Sequence, residues 1–174
     1  MRGVLTGLLV AATLAAAAPA PAAAARCAAA GKHPTSASIS TVNKATLCLL
    51  NAERKKHGLA ALKENGDLDS ASVKHSRDMV RRHYFEHGDF AARIKQSGYL
   101  SGARSWAIGE NIAWGGGSYS TPRSIVSMWM HSPGHRANIL SSKFKEIGIG
   151  IARGAPQAGQ SDAATYTTDF GYRG

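Results

Sequence analysis

Apolar residues recur at helical spacing in two long stretches of the first half of the chain. The first stretch is predicted as a helix that begins after a cap at Ser40 or Thr41 and ends near His57, before Gly58. Its apolar face comprises Val42, Ala45, Leu49 and Ala52. The second follows the Asn65-Gly66 turn, with a cap at Asp67 or Asp69, and runs to about His83. Its inner face comprises Leu68, Ala71, Ser72, His75 and Met79.

The second half of the chain moves from short helices to strands. Residues 90–97 predict a short helix, and residues 122–130 predict another, with Pro122 at its first position. Between them, residues 104–114 read as extended chain that enters a strand. Residues 146–153 alternate isoleucine with small residues, and residues 164–172 are rich in threonine and tyrosine, so both predict strands. Helices first and an antiparallel pair of strands last indicate an α+β fold.

The first 25 residues read as a secretory signal. Arg2 precedes an apolar run from Val4 to Ala18, and small residues follow in an A-x-A pattern. Residues 26–40 lack periodicity and are interpreted as a linker or loose N-terminal arm, which leaves residues 41–174 as one folded domain. We therefore expect a secreted, extracellular protein, monomeric and without a membrane-spanning segment in its mature form.

The chain has two cysteines, Cys27 and Cys48, and both lie beyond the predicted signal. Lone cysteines in an oxidising compartment pair by default, so we expect a Cys27–Cys48 disulfide. The alternative is one exposed and one buried free thiol. A disulfide would join the mature N-terminus to the first helix.

The formal net charge of +10 points to anionic partners. Outside a cell these would be acidic wall polymers or lipid head groups, and no nucleic acid is expected. The basic residues recur along the whole sequence instead of in one block, at Arg54-Lys55-Lys56, Arg77, Arg81-Arg82, Arg93, Lys95, Lys143 and Lys145. A solvated basic surface without a partner therefore explains them equally well.

Four residues are candidates for chemistry: His87, Glu110, His135 and Asp169. His87 follows a pair of aromatic residues, Glu110 lies in a Gly-Glu-Asn triplet, and His135 follows Pro133-Gly134. None of them has the local spacing of a metal-binding motif. His75 is left out, because a histidine on an apolar helical face is more often a hydrogen-bonded core residue. Asp169, on an aromatic strand, either replaces a missing acidic group or faces solvent.

The residues around these candidates resemble those of the CAP superfamily, which comprises the cysteine-rich secretory, antigen 5 and pathogenesis-related 1 proteins, in its bacterial form. The matching segments are LLNAERKKHG (49–58), residues 68–87, GENIA (109–113), WMHSPGHRANIL (129–140), residues 146–152 and residues 166–171. The resemblance thus covers residues 41–171. The combination of GEN, SPGHRANIL and an alternating strand is specific, whereas each motif alone is not.

The resemblance implies a three-layer α-β-α sandwich with a small central antiparallel sheet. It also implies a cleft with two histidines, here His87 and His135, and two acidic residues, of which Glu110 is the first. At the position of the second, three residues after Trp129, this chain has Ser132. Two imidazoles and one carboxylate are a ligand set for zinc with an open position for water, so His87, Glu110 and His135 are the expected metal ligands.

The Ser-Pro-Gly turn before His135 suggests how its side chain is held. Ser132 is placed to cap a short helix whose first turn contains His135. The positive end of that helix dipole disfavours a cation, so we expect a lowered pKa and a neutral imidazole.

Three functions compete at this point. The first and preferred one is a secreted binding module that acts at the cell wall or beyond it, with a lipid, a sterol or an anionic wall polymer as ligand. The second is a metal-assisted hydrolase or protease in which Glu110 and His135 are catalytic and zinc is held by His87, Glu110 and His135. The third, a serine hydrolase based on Ser127 or Ser132, is weakest, because the chain lacks a nucleophile-elbow motif.

Overall fold

The computed structural model describes residues 27–174, so the predicted signal at residues 1–25 lies outside the described part. In chain order the helices and strands are α1 (Ile39–Lys56), β1 (Lys63–Glu64), α2 (Gly66–Arg82), α3 (Phe90–Gln96), β2 (Trp106–Gly115), α4 (Pro122–His131), α5 (Pro133–Ile139), β3 (Glu146–Arg153) and β4 (Ala164–Arg173). A short 3-10 helix, Gly117–Ser120, precedes α4.

The helix starts follow from side-chain caps, and two of them differ from the expected residue. Ser38 caps α1 by accepting a hydrogen bond from the backbone N–H of Thr41. Asn65 caps α2 by accepting from the two N–H groups at residues 67 and 68, so the predicted turn residue is itself the cap. Thr121 caps α4 with Pro122 at the first position, as predicted.

The four strands form one sheet in the order β1-β3-β4-β2. Strand β4 pairs antiparallel with both β2 and β3, so the predicted pair of C-terminal strands is confirmed. The sheet as a whole is mixed and not purely antiparallel, because the two-residue β1 pairs parallel to β3. The polar Lys63-Glu64 segment carries no period that would predict a strand. It is held by its neighbour's backbone, as in the hydrogen bond from Asn65 N to Ile147 O at 3.0 Å.

The sheet lies between two helical layers, which confirms the three-layer α+β sandwich. The larger core joins α1, α4 and α5 to one face of the sheet and contains Leu50, Trp129, Ile139, Ile147, Ile149, Tyr166 and Phe170. The smaller core lies on the other side, between α2 and α3, and contains Leu68, Ala71, Ile94 and Tyr99.

The glycines of β3 set how closely α2 approaches the sheet. The isoleucines of the alternating pattern face the larger core, and the glycines face α2. A Cβ built on Gly148 would lie 2.0 Å from the carbonyl carbon of Leu68, and one on Gly150 would lie 2.1 Å from that of Ser72. Both faces of this strand are therefore buried, and any side chain larger than hydrogen would push α2 away.

The N-terminal segment 27–38 packs on the domain, although its composition suggested a loose arm. The Arg153 guanidinium donates to Pro34 O at 2.8 Å and to Ala37 O at 3.2 Å. The predicted disulfide between Cys27 and Cys48 is present, with Cys27 buried against α1. Over residues 27–174, none of the helices combines the length and the apolar character needed to cross a bilayer.

Candidate functional site

Glu110 is the centre of the candidate site. It lies on β2, an edge strand of the sheet, and its side chain is completely buried. Oε1 accepts a hydrogen bond from Nδ1 of His87 at 2.8 Å, and Oε2 accepts one from Nη2 of Arg93 at 2.5 Å. Both carboxylate oxygens are thus engaged by neighbouring side chains.

Arg93 holds two parts of the site at once. It lies on α3, and its Nη1 donates to the carbonyl oxygen of His87 at 2.8 Å while Nη2 reaches Glu110. The segment between α2 and α3 is therefore tied at His87 through both the backbone and the imidazole. Arg93 was not among the predicted site residues, because nothing in its sequence context separates it from the other basic residues.

His135 reaches the same place from the opposite helical layer. Two amide side chains join its helix, α5, to β2 by hydrogen bonds. Asn111 Nδ2 donates to His135 O at 3.1 Å, and Asn138 Nδ2 donates to Asn111 Oδ1 at 2.9 Å and to Glu110 O at 3.1 Å. The His135 and His87 rings lie 6.5 Å apart, centroid to centroid. We call the space between these rings, with Glu110 and Arg93 at its base, the histidine cleft.

The Gly-Glu-Asn triplet has a distinct physical reason at each position. Gly109 lies against the Phe144 ring, since a Cβ there would be 2.9 Å from Cζ of that ring. Glu110 faces the other side of the strand and forms the site, and Asn111 turns back to hold α5. The two asparagines lie within the motifs that carried the resemblance, so that signal was available, but their roles were not predicted.

Both cleft histidines have a lowered pKa. Burial lowers the pKa of His87, and the nearby Arg93 charge lowers it further. Burial also lowers the pKa of His135, with a smaller contribution from His87. The predicted direction for His135 is therefore right, but its cause is desolvation and not the helix dipole. Ser132 stands at the cap position of α5, yet its side chain accepts no capping hydrogen bond.

Asp169 is the second acidic residue of the site, and the expectation that its side chain could face solvent is wrong. It lies on β4 directly opposite Glu110 in the β2–β4 register and is fully buried. Oδ2 accepts from Ser72 Oγ at 2.8 Å, whereas Oδ1 is buried with no hydrogen-bond partner among residues 27–174. Burial and the Glu110 charge raise the pKa of Asp169 well above its ordinary value, which favours the protonated form of this carboxyl.

Arg54 supports α5 from beneath, although its sequence context placed it among the basic surface residues. It is 1% exposed. Its guanidinium donates to four backbone carbonyls, those of Ala60, Ile139, Ser141 and Phe144. Two of these accept at the end of α5, so Arg54 fixes the helix that presents His135.

His75 is a core residue, as predicted. It is 2% exposed, and its Nε2 lies 3.0 Å from the carbonyl oxygen of Glu86. Burial lowers the pKa of His75 to about 4, so the ring is neutral.

The residues of the cleft are not arranged as a ready-made zinc site, and zinc binding by His87, Glu110 and His135 stays a prediction. Each oxygen of Glu110 already accepts one hydrogen bond, from His87 or from Arg93, and the carboxylate is buried. With Zn–N bonds of about 2.0 Å, two rings on one tetrahedral zinc have centroids on the order of 5 Å apart, closer than the 6.5 Å found here. Within residues 27–174, no group of three or more His, Cys, Asp or Glu side chains is arranged to hold a metal.

Comparison with known proteins is consistent with this architecture. The family model described as the cysteine-rich secretory protein family, CAP, matches residues 47–168. The Bacillus subtilis (strain 168) protein YkwD, itself described as uncharacterised, is 38% identical over 114 residues, which cover 65% of this chain and 43% of that protein. The chain therefore spans less than half the length of this relative.

Solved structures show the same fold at lower identity. An extracellular protein containing an SCP domain from Bacillus anthracis str. Ames aligns with a TM-score of 0.58 and 24% identity, over 77% of this chain and 43% of that one. An outer surface protein from Borrelia burgdorferi aligns with a TM-score of 0.57 and 18% identity, over 72% of this chain and 88% of that one.

Proposed function

The chain belongs to the cysteine-rich secretory protein (CAP) family, and from that premise we propose that it is a monomeric binding module that acts outside the cell. Its ligand is held at the histidine cleft. The disulfide, the predicted signal and the nature of its structural neighbours, which are extracellular and outer surface proteins, support the location.

One observation carries the proposal: His87 and Arg93 engage both oxygens of Glu110. A carboxylate that accepts a directed hydrogen bond at each oxygen, one of them from a guanidinium, is held firmly in one position. Its role is to orient His87 and to balance the Arg93 charge. The cleft is therefore arranged to hold a ligand with fixed side chains.

The chemistry of the cleft favours a ligand group without charge. Both imidazoles are biased towards the neutral form, which offers one donor and one acceptor nitrogen. Hydroxyl and carbonyl groups match these donors and acceptors. Among the expected ligands, a hydroxyl-rich wall polymer fits this cleft better than a lipid or a sterol, whose surface is mostly apolar.

A second candidate function rests on the His87–Glu110 hydrogen bond itself. A carboxylate only accepts, so Nδ1 of His87 carries the proton and Nε2 keeps its lone pair. That arrangement is typical of a general base, which could activate a water or a hydroxyl for hydrolysis. The zinc-assisted form of this hypothesis lacks a third ligand.

Binding and turnover measurements on the same samples distinguish the two functions. We expect wild type to bind purified wall-glycan fragments and to leave them, and casein, uncleaved with zinc or with chelator. His87→Ala and His135→Ala should each weaken binding about ten-fold, the loss of one hydrogen bond to the ligand. His131→Ala removes an exposed histidine on α4 and serves as the matched control.

Two outcomes would contradict the proposal. One is cleavage of glycan or peptide that is lost in Glu110→Gln, which would establish a hydrolase. The other is binding only to sterol-containing vesicles that the histidine variants do not change, which would show that the ligand does not bind at the histidine cleft.

A further inference from the structure

The outer face of α2 brings together several basic residues that are dispersed along the sequence. Lys74, Arg77, Arg81 and Arg82 are all exposed. The first three are spaced by three and four residues and lie along one side of the helix, and Arg82 widens that side. We call these four residues the α2 ridge. Asp78 is the single acidic residue within positions 74–82.

The charge of the ridge is partly balanced at Arg81 and Arg82, which pair with Asp78, and is left unpaired at Lys74 and Arg77. Asp78 accepts from Arg81 at 2.5 Å, from Arg82 at 3.2 Å and from the Tyr84 hydroxyl at 2.8 Å, so its capacity is taken up. Lys74 and Arg77 make no side-chain hydrogen bond or ion pair with any other residue in the range 27–174. These two cations face solvent with a full set of free donors.

A groove runs along each side of the ridge. One has a volume of about 510 Å³ and is lined by charges of both signs, the basic Lys74, Arg82 and Arg93 and the acidic Asp78, Glu86 and Asp89. The other has a volume of about 330 Å³. Arg77 and Arg81 stand at its rim, with Arg153 opposite, and its floor is formed by Ile39, Val80 and Ile151. The helix therefore stands between two recesses that could receive the uncharged parts of a chain-like ligand.

We propose that the α2 ridge and its two grooves bind a linear polymer that carries a phosphate in each repeat. Guanidinium groups match phosphate oxygens in pairs, and a lysine adds a point charge to the same array. At 1.5 Å per residue, Lys74 to Arg82 spans about 12 Å, enough for more than one phosphate of an extended chain. The inference relies on the proposed function only in placing this polymer outside the cell.

A membrane surface fits the ridge less well than a polymer does. Membrane-binding faces combine cations with exposed apolar or aromatic side chains. Over residues 27–174, the exposed large hydrophobic residues are Phe85, Trp106, Tyr119, Met128 and Tyr172, all outside α2. The apolar atoms of this region lie at the floor of a groove, where a flat bilayer does not reach.

The test measures binding of soluble poly(glycerol phosphate) at low and moderate salt. Raising the salt over that range weakens a complex with six to ten phosphate contacts by about 10³–10⁵-fold. Loss of two contacts in Arg77→Gln/Arg81→Gln should therefore weaken binding about ten-fold and flatten the salt dependence. Lys55→Gln/Lys143→Gln removes the same charge from exposed positions on other elements and should leave affinity within about two-fold. All four side chains are exposed, and thermal unfolding confirms that each variant is folded.

The outcomes separate this inference from the proposed function. Either an equal loss of affinity in the control variant or no binding by wild type at low salt would overturn the proposal that the α2 ridge binds the polymer. Preferential binding to phosphatidylglycerol vesicles, lost in Arg77→Gln/Arg81→Gln, replaces the polymer by a membrane and overturns it as well. If His87→Ala and His135→Ala abolish poly(glycerol phosphate) binding while Arg77→Gln/Arg81→Gln does not weaken it, the proposal for the ridge fails while the histidine cleft stands.

Discussion

Glu110 and Asp169 face each other across β2 and β4 as directly paired residues, and both carboxyl groups are buried. Their arrangement accounts for the second acidic residue, which is missing at the position of Ser132. The turn at Ser132 carries no acidic residue, yet the site has two acids, the second of which comes from the sheet. Burial raises the pKa of both carboxyls, and the Glu110 charge raises that of Asp169 further. Because the Arg93 guanidinium lowers the pKa of Glu110, the shared environment favours the proton on Asp169.

Asp169→Asn should change how stability depends on pH. The pKa of Asp169 is raised in the folded state, so its contribution is complete below about pH 4, its unfolded pKa, and declines as pH rises towards the folded value. An asparagine stays neutral throughout. Urea unfolding should therefore show that the unfolding free energy of the variant rises relative to that of wild type as pH increases above about 4.

The exposed Asp162 offers the matched control, as Asp162→Asn alters no buried group. A difference between wild type and Asp169→Asn that stays constant from pH 4 to about pH 8 would mean that Asp169 is ionised in the folded protein.

His75→Gln should act in the opposite direction along the pH scale. The pKa of His75 falls to about 4 on folding, from about 6.5 in the unfolded chain. The neutral ring thus contributes stability above about pH 6.5 that is lost as pH falls through about 4. A glutamine can keep the hydrogen bond to Glu86 O without titrating. The difference in unfolding free energy between wild type and His75→Gln should narrow or reverse between pH 7 and about pH 4. A pH-independent gap would contradict the burial of a neutral imidazole.

Arg54→Met should destabilise the protein strongly although it removes a charge from a basic molecule. The guanidinium satisfies four carbonyls in a dry environment, and loss of such partners costs about 3 kcal/mol or more. The exposed neighbour gives the control, since Lys55→Met should stay within about 0.5 kcal/mol of wild type. Chemical unfolding measures both, and similar effects of the two substitutions would show that Arg54 is solvated.

Gly148→Ala tests the contact between β3 and α2. Because the added methyl would overlap the α2 backbone at Leu68, the helix must move, and we expect a loss of about 3 kcal/mol or more. Gly134→Ala lies in α5 with open space around it and should stabilise by about 0.5–1 kcal/mol. Equal tolerance of alanine at both positions would mean that α2 is not packed this closely.

The periodic elements could be predicted from the sequence because their cause is local. The 3.6-residue period of α1 and α2, Pro122 at the start of α4 and the alternation in β3 each lie within one short segment. The parallel strand β1 could not be predicted, since its two polar residues are ordered only by their neighbour β3. The small residues of that alternation were visible in the sequence, but the close approach of α2 to them was not.

The site was predicted in part, for a similar reason. His87, Glu110 and His135 do converge, and their resemblance to a family motif identified them. Arg93 and Asp169 are defined by long-range geometry, the approach of α3 to β2 and the register of β4, which no local pattern encodes. Arg93 is decisive, because it occupies the oxygen of Glu110 that a metal would need.

Calorimetric titration of zinc tests the central claim most directly. With both Glu110 oxygens engaged, wild type should give no saturable one-to-one heat, far from the binding free energy of about 10–16 kcal/mol of structural zinc sites. Arg93→Ala frees Oε2 and should gain measurable affinity that is lost again when His87 is also replaced by alanine. Stoichiometric zinc binding by wild type, abolished in His87→Ala, His135→Ala and Glu110→Gln, would contradict the account and restore the metal-assisted hydrolase.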